Sequence, residues 1–199
     1  MELIQQEPEL SAYLAADDVV DHDHRLVRET AARLHAESVD VYAYARAAYE
    51  YVRDTIPHSF DAGDPRVVWR ASDVLRQRTG ICYAKSHALA ALLRAQGVPA
   101  ALCYQRLTDD DGSNPVVHGL VALRLPGGDG WHRQDPRGNT ADLDAQFSLD
   151  GERLAYVVRP ELGEADYPVL YARPHAHALR ALRVAHDPEA LRRALPTML

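Results

Sequence analysis

Near residue 100 the hydrophobic period of this 199-residue chain changes, and that change limits the fold more than any other feature. Before it, apolar residues recur at helical spacing. Leu26, Val27, Ala31 and Leu34 do so over 23–36, and Val41, Ala45, Ala48 and Val52 over 40–55, with Tyr44 and Tyr51 flanking the second stripe as packing residues. Pro57 stops that helix, and HSFDAGDP reads as a loop. A short helix is expected over 71–77, with Ser72 near its start. The Ala/Leu-rich run 82–96 has high helix propensity, led by Gly80 and ended by Gly97 and Pro99. Past it, 101–107 and 116–125 have strand composition and are separated by the polar TDDDGSNP. LPGGDG reads as a hairpin loop, WHRQDPRG as the returning strand, 154–158 and 169–172 as further strands, and the tail from Pro174 as helix again. Helices followed by strands able to pair antiparallel predict an α+β domain with helices packed on one side of a sheet. The expected organisation is a single domain over 1–199: mainly helical in 1–60, a core over 71–173 and a helical tail over 174–199.

Charge and cysteine usage narrow the function classes. A net charge of −7 argues against a surface that tracks phosphates, so no nucleic-acid partner is expected. The basic residues are almost all arginine, Lys85 being the one lysine, which is a compositional bias and not a binding stripe. The first twenty residues have no basic region followed by an apolar one, and no later run approaches the roughly 18–20 apolar residues that span a bilayer. A cytoplasmic protein without a membrane partner is the expectation. Cys82 and Cys103 are too few for a disulfide framework, so each is judged alone.

Cys82 falls at or near the start of the 82–96 helix, where unpaired N–H groups and the macrodipole favour a thiolate. The same N–H groups can receive the oxyanion of a tetrahedral intermediate. Such a nucleophile needs a base from elsewhere in the fold, and the base needs an acceptor that fixes its tautomer. His118 and Asp135 suit these roles. They lie on adjacent strands of the hairpin and face the same side if the register pairs residues whose numbers sum to an odd value. Directly opposed Cβ atoms would then be about 5 Å apart and diagonal ones about 7–8 Å. His87 is five residues along the helix, about 140° around its axis from Cys82, and points elsewhere. His58 and His132 stand as site neighbours, although His132 alternates to the face opposite Asp135. Cys103, mid-strand in an apolar run, reads as packing.

The blocks ASDVLRQRTGICYAKSHALAALLRAQGVPAALCYQRL, VVHGLVALRL and WHRQDPRG resemble the transglutaminase-like superfamily of bacterial cysteine enzymes. The shared layout is a Gly-x-Cys with small residues behind it, a helix ending in LLRAxGVPA, a His on the next strand and an Asp-Pro after a Trp-bearing strand start. The resemblance implies a papain-like core, with the nucleophile helix packed on an antiparallel sheet, and it places Cys82, His118 and Asp135 on the family's triad positions. It further implies a second oxyanion donor upstream of the cysteine, a place that either Trp69 or Gln77 fills. Where relatives often carry an aromatic residue after the histidine, this chain has Gly119, which is expected to open the site or leave room for a substrate group.

The expected function is a cysteine protease or amidase, a hydrolase acting on a peptide or small amide through a thioester. Transglutaminase-type transfer to an amine, arylamine acetyl transfer, and a non-catalytic binding module on the same fold are the alternatives. No cofactor or metal is expected. DHDH (21–24) and PHAH (174–177) each present a His-x-His pair but lack further ligands at suitable spacing and read as polar loop or helix-start residues. The run 109–114 lacks the calcium-loop spacing and reads as a strand connection.

Overall fold

The computed structural model describes residues 1–128 and 130–199. Asp129, in the expected LPGGDG hairpin loop, lies outside the described residues. The chain opens with a short strand β1 (Ile4–Gln5) and a 3-10 turn (Leu10–Leu14), which are too brief to carry a period in the sequence. Helix α1 (Arg25–Ala36) follows, capped by His24, whose ring accepts from the Leu26 N–H at 3.2 Å. Helix α2 (Val41–Thr55) is capped by Asp40, which accepts from the Ala43 N–H at 2.7 Å. Each buries one face: Val27, Ala31 and Leu34 on α1, and Tyr44, Ala45, Ala48, Tyr49 and Val52 on α2.

Helix α3 (Ala71–Gln77) ends at Arg78, whose φ of 50° turns the chain toward the segment that holds Cys82. Ser72 is its second residue, and its N–H donates at 3.0 Å to Asp21 of the DHDH segment, tying α3 to the chain before α1. Helix α4 (Cys82–Ala95) differs from the others because Tyr83 through Arg94 are all buried. It is the central helix, covered by α1, α2 and α3 on one flank and by the sheet on the other. Leu89, Leu92 and Leu93 are fully buried, each worth about 1.5–3 kcal/mol of transfer from water. The helix also buries two cations, and both bind backbone carbonyls. Arg94 donates to Ala15, Ala100 and Ala172, joining the N-terminal segment to both ends of the strand region. Lys85 donates to the carbonyls of Arg53 (3.2 Å) and Ile56, so it closes the C-terminal end of α2.

Strands β2 (Ala100–Leu107) and β3 (Val116–Leu123) pair antiparallel from Ala100↔Leu123 to Leu107↔Val116. Strand β4 (His132–Gln134) extends the sheet beside β3, and β5 (Ala165–Asp166) beside β2, in the order β4-β3-β2-β5. Strand β6 (Val169–Leu170) pairs parallel with β1. Tyr13, Cys103, Leu120 and Leu170 belong to a second, smaller core beside the one around α4. The tail folds as α5 (Ala176–Val184) and α6 (Pro188–Ala194), capped by His175 and Asp187.

The expected strand over 154–158 is absent; the segment is irregular. Its polar backbone groups go to side chains instead of a ladder: the Ala155 N–H donates to Asp135 at 3.2 Å, and the Tyr156 carbonyl accepts from Gln105 at 3.4 Å. The strand expected over 169–172 shortens to β6, with Tyr171 bridging to Leu102. The arrangement is α+β, with helices against an antiparallel sheet. Among the described residues no helix is long and apolar enough to cross a membrane.

Candidate active site

Cys82 is the first residue of α4 and is half-buried. Helices α1, α2, α5 and α6 each begin with a side-chain cap, whereas α4 begins at Ile81 with none. The Cys82 N–H has no protein acceptor among the described residues. The positive end of the most buried helix is thus left facing the sulfur.

His118 lies on β3 opposite Gln105. In the β3–β4 register, Val121 pairs with Gln134 and Ala122 with Arg133, so paired numbers have an odd sum. Asp135 is one residue beyond β4, and His118 stands diagonal to it. The side chains close that gap: His118 Nε2 lies 2.8 Å from Asp135 Oδ2. Asp135 is fully buried, and its carboxylate also accepts the N–H groups of Arg137 (3.1 Å) and Ala155 (3.2 Å). Its own carbonyl accepts the Tyr49 hydroxyl at 3.0 Å, tying it to α2. The Tyr156 ring stands edge-on to His118 with centroids 5.0 Å apart, so the irregular 144–158 segment braces both His118 and Asp135.

The electrostatics follow from this packing. Burial alone would raise the Cys82 thiol, but the charge and hydrogen-bonding capacity of His118, and then of His58, outweigh it and lower the pKa from 9.0 to about 6. Burial alone would lower His118, but Asp135 and the Cys82 thiolate raise it from 6.5 to about 10. Burial would likewise raise Asp135, but the His118 charge and the two backbone donors hold it below the ordinary carboxylate range. Both shifts act in the same direction, toward the thiolate and imidazolium forms of the pair. Cys103, by contrast, is fully buried, and its desolvated thiol is pushed well up.

His58 sits beside this pair, held by a parallel bridge to Gly80 and by the Ser59 N–H donating to the Gly80 carbonyl at 3.1 Å. Its side chain is 9% exposed, and Nδ1 lies 3.5 Å from Asp61 without forming a hydrogen bond. Arg137 holds Asp61 in a fork at 2.8 and 3.1 Å. A cavity of about 460 Å³ borders His58, Asp61, Lys85 and Arg137, and another of about 660 Å³ borders Tyr156, Val157 and Arg159. Burial pushes the Lys85 ammonium down to about 7.

Other sequence candidates fall elsewhere. His87 is buried with its Nδ1 2.8 Å from the Trp69 carbonyl, and burial lowers its pKa to about 4. The Trp69 indole lies against the guanidiniums of Arg70 and Arg183, and Gln77 ends α3. Among the described residues no hydrogen bond joins either side chain to Cys82, His118 or Asp135. His24 and His175 of the His-x-His pairs serve as helix caps. Arg137, Tyr156 and the Ala155 N–H were not legible as site groups. Their signal is the Asp-Pro-Arg sequence and a segment that reads wrongly as strand.

The sequence matches the transglutaminase-like superfamily over residues 28–136, more than half of the chain. The chain belongs to that superfamily. No curated protein matches it. A candidate cysteine protease from Cytophaga hutchinsonii has a similar fold, with a TM-score of 0.54 at 18% identity over 66% of this chain and 43% of the other. A TGase crystal structure aligns at a TM-score of 0.41 and 19% identity over 65% of this chain and 34% of the other. This chain therefore spans less than half the length of either protein.

In this transglutaminase-like chain Gly119 does not open the site, contrary to expectation. A Cβ there would lie 2.5 Å from Tyr83 Cδ1. The missing side chain lets Tyr83, next to Cys82, pack flat against β3, where its hydroxyl donates to the Val117 carbonyl at 2.6 Å. The room is taken by Tyr83 of α4.

Proposed function

We propose that this chain is a cysteine-dependent amide hydrolase or acyltransferase in which Cys82, His118 and Asp135 act as the catalytic triad. The observation that carries this reading is the His118–Asp135 contact of 2.8 Å beside a cysteine at an uncapped helix start. The Cys82 thiolate adds to an amide carbonyl carbon, and the carbonyl oxygen becomes an oxyanion within reach of the Cys82 N–H. His118 gives its proton to the leaving nitrogen, the C–N bond breaks, and a thioester remains on Cys82. Neutral His118 then takes a proton from water, the hydroxyl adds to the thioester, and collapse releases the carboxylic acid and restores the thiolate. Asp135 orients the imidazole and stabilises its charged form throughout.

A peptide or small amide is the proposed substrate class. Water is the proposed acceptor, with transfer to an amine as the competing outcome of the same thioester. The test uses p-nitrophenyl acetate, which needs little substrate recognition. Intact-mass measurement should find one acetyl group on the wild-type protein at Cys82 and none on Cys82→Ser. Adding a primary amine such as methylamine then separates the acceptors, since faster turnover with formation of N-methylacetamide marks transfer. Absence of acetylation at Cys82 would refute the proposed function.

A further inference from the structure

The imidazole of His58 is a buried polar group to which the mechanism above gives no step. Its side chain is 9% exposed, its Nδ1 is buried without a hydrogen-bond partner, and it lies beside the Cys82 sulfur. A buried nitrogen left unsatisfied is costly, and in a site such a group is explained when a ligand supplies the partner. His58 is also placed by backbone and not by chance of rotamer. It bridges Gly80, two residues before Cys82, so the ring and the free Cys82 N–H flank the same entrance to α4.

We propose that His58 is the second oxyanion donor: its ring N–H and the Cys82 backbone N–H together receive the carbonyl oxygen of the substrate as it becomes negative. A second general base is the rival role, and the surroundings disfavour it. His118 has a carboxylate at 2.8 Å to orient and charge it, whereas Asp61 stands 3.5 Å from His58 without a hydrogen bond to it and is held by the Arg137 fork. His58 thus lacks the close carboxylate that would fix it as a base, and its ring contact in the site is with the Cys82 sulfur, the atom to which the substrate carbonyl becomes joined. Of the two upstream residues that resemblance suggests, Trp69 lies against the Arg70 and Arg183 guanidiniums and Gln77 ends α3. The inference rests on the proposed acyl-transfer function.

The test separates reactions with and without an oxyanion. Alkylation of Cys82 by iodoacetamide displaces iodide at a saturated carbon and forms no oxyanion; acetylation by p-nitrophenyl acetate passes through one before expelling p-nitrophenolate. Both rates are measured for wild type, His58→Ala and His58→Gln. Dividing acetylation by alkylation cancels any change in thiolate content. The expected result is a ratio lowered by about 10²-fold or more in His58→Ala and largely restored in His58→Gln, which keeps a donor. An equal loss in both reactions would make His58 only a thiolate partner and overturn the proposal, as would an unchanged ratio. Wild-type protein that alkylates at Cys82 but is never acetylated would instead overturn the acyl-transfer function itself. The Gln variant keeps the question answerable should the Ala variant fold poorly.

Discussion

Gly119→Ala is the most demanding test of how helix α4 is seated. The new Cβ would lie 2.5 Å from Tyr83 Cδ1, 3.2 Å from Cε1 and 3.4 Å from Tyr83 Cα. The last contact is tight but tolerable, and the first is not, so the ring must swing away or the start of α4 must shift. Tyr83 is buried, and its hydroxyl bond to the Val117 carbonyl goes with the ring. Overpacking of this kind costs about 1–3 kcal/mol, and the lost hydrogen bond adds about 1. A total of about 2–4 kcal/mol corresponds to a melting temperature lower by roughly 5–15 °C for a chain of this size. Cys82 precedes Tyr83, and a misplacement on the order of 1 Å can cost about 10²-fold in rate, so acetylation should fall as well. Thermal unfolding followed by circular dichroism, together with the acetylation rate, measures both effects. Adding Tyr83→Leu should recover part of the loss, because the two positions are in contact and their effects are not additive. A Gly119→Ala protein with wild-type melting temperature and wild-type acetylation would refute this account of the helix–sheet contact.

Asp135→Asn keeps the shape of the buried side chain but removes the charge that favours the His118 imidazolium, and through it the thiolate. Acetylation of Cys82 should drop by about 10³- to 10⁴-fold, read from p-nitrophenolate release; an unchanged rate would remove Asp135 from the mechanism. Arg94→Met takes the guanidinium from the carbonyls of Ala15, Ala100 and Ala172. It should cost about 3–5 kcal/mol in urea unfolding while leaving the pH dependence of Cys82 labelling unchanged. A loss within error of zero would contradict the role given to this buried cation.

What the sequence disclosed depended on whether the signal was local. The helices bearing Leu26 to Leu34 and Val41 to Val52 have a period and end signals, and the Ala/Leu run after Cys82 has Gly97 and Pro99 behind it, so their bounds were legible to within a residue or two. The family layout likewise pointed to the residues that the structure brings together around Cys82. The side of Asp135 followed from an odd-sum register, but the diagonal pairing that sets its reach depends on a turn whose geometry the sequence does not carry. Residues 154–158 are apolar enough to resemble a strand, yet their hydrogen bonds are claimed by Asp135 and Gln105, a tertiary competition invisible in composition. Gly119 misled for a related reason, since the side chain that fills its space comes from another element. His58 stands within a Gly- and Asp-rich loop segment, and only its bridge to Gly80 brings it to the sulfur.

The central claim is that Cys82 is held as a thiolate by His118, and the direct measurement is the pH dependence of its alkylation by iodoacetamide, read by peptide mass spectrometry. A thiol with a lowered pKa gains its reactive form as pH rises through that value and keeps it above. Labelling of Cys82 should therefore rise through about pH 6 and far outpace labelling of buried Cys103. His118→Ala should move the inflection of Cys82 upward, since the histidine is the main group opposing the effect of burial. An inflection near the free-thiol value of about 8.5, unmoved by His118→Ala, would contradict the account.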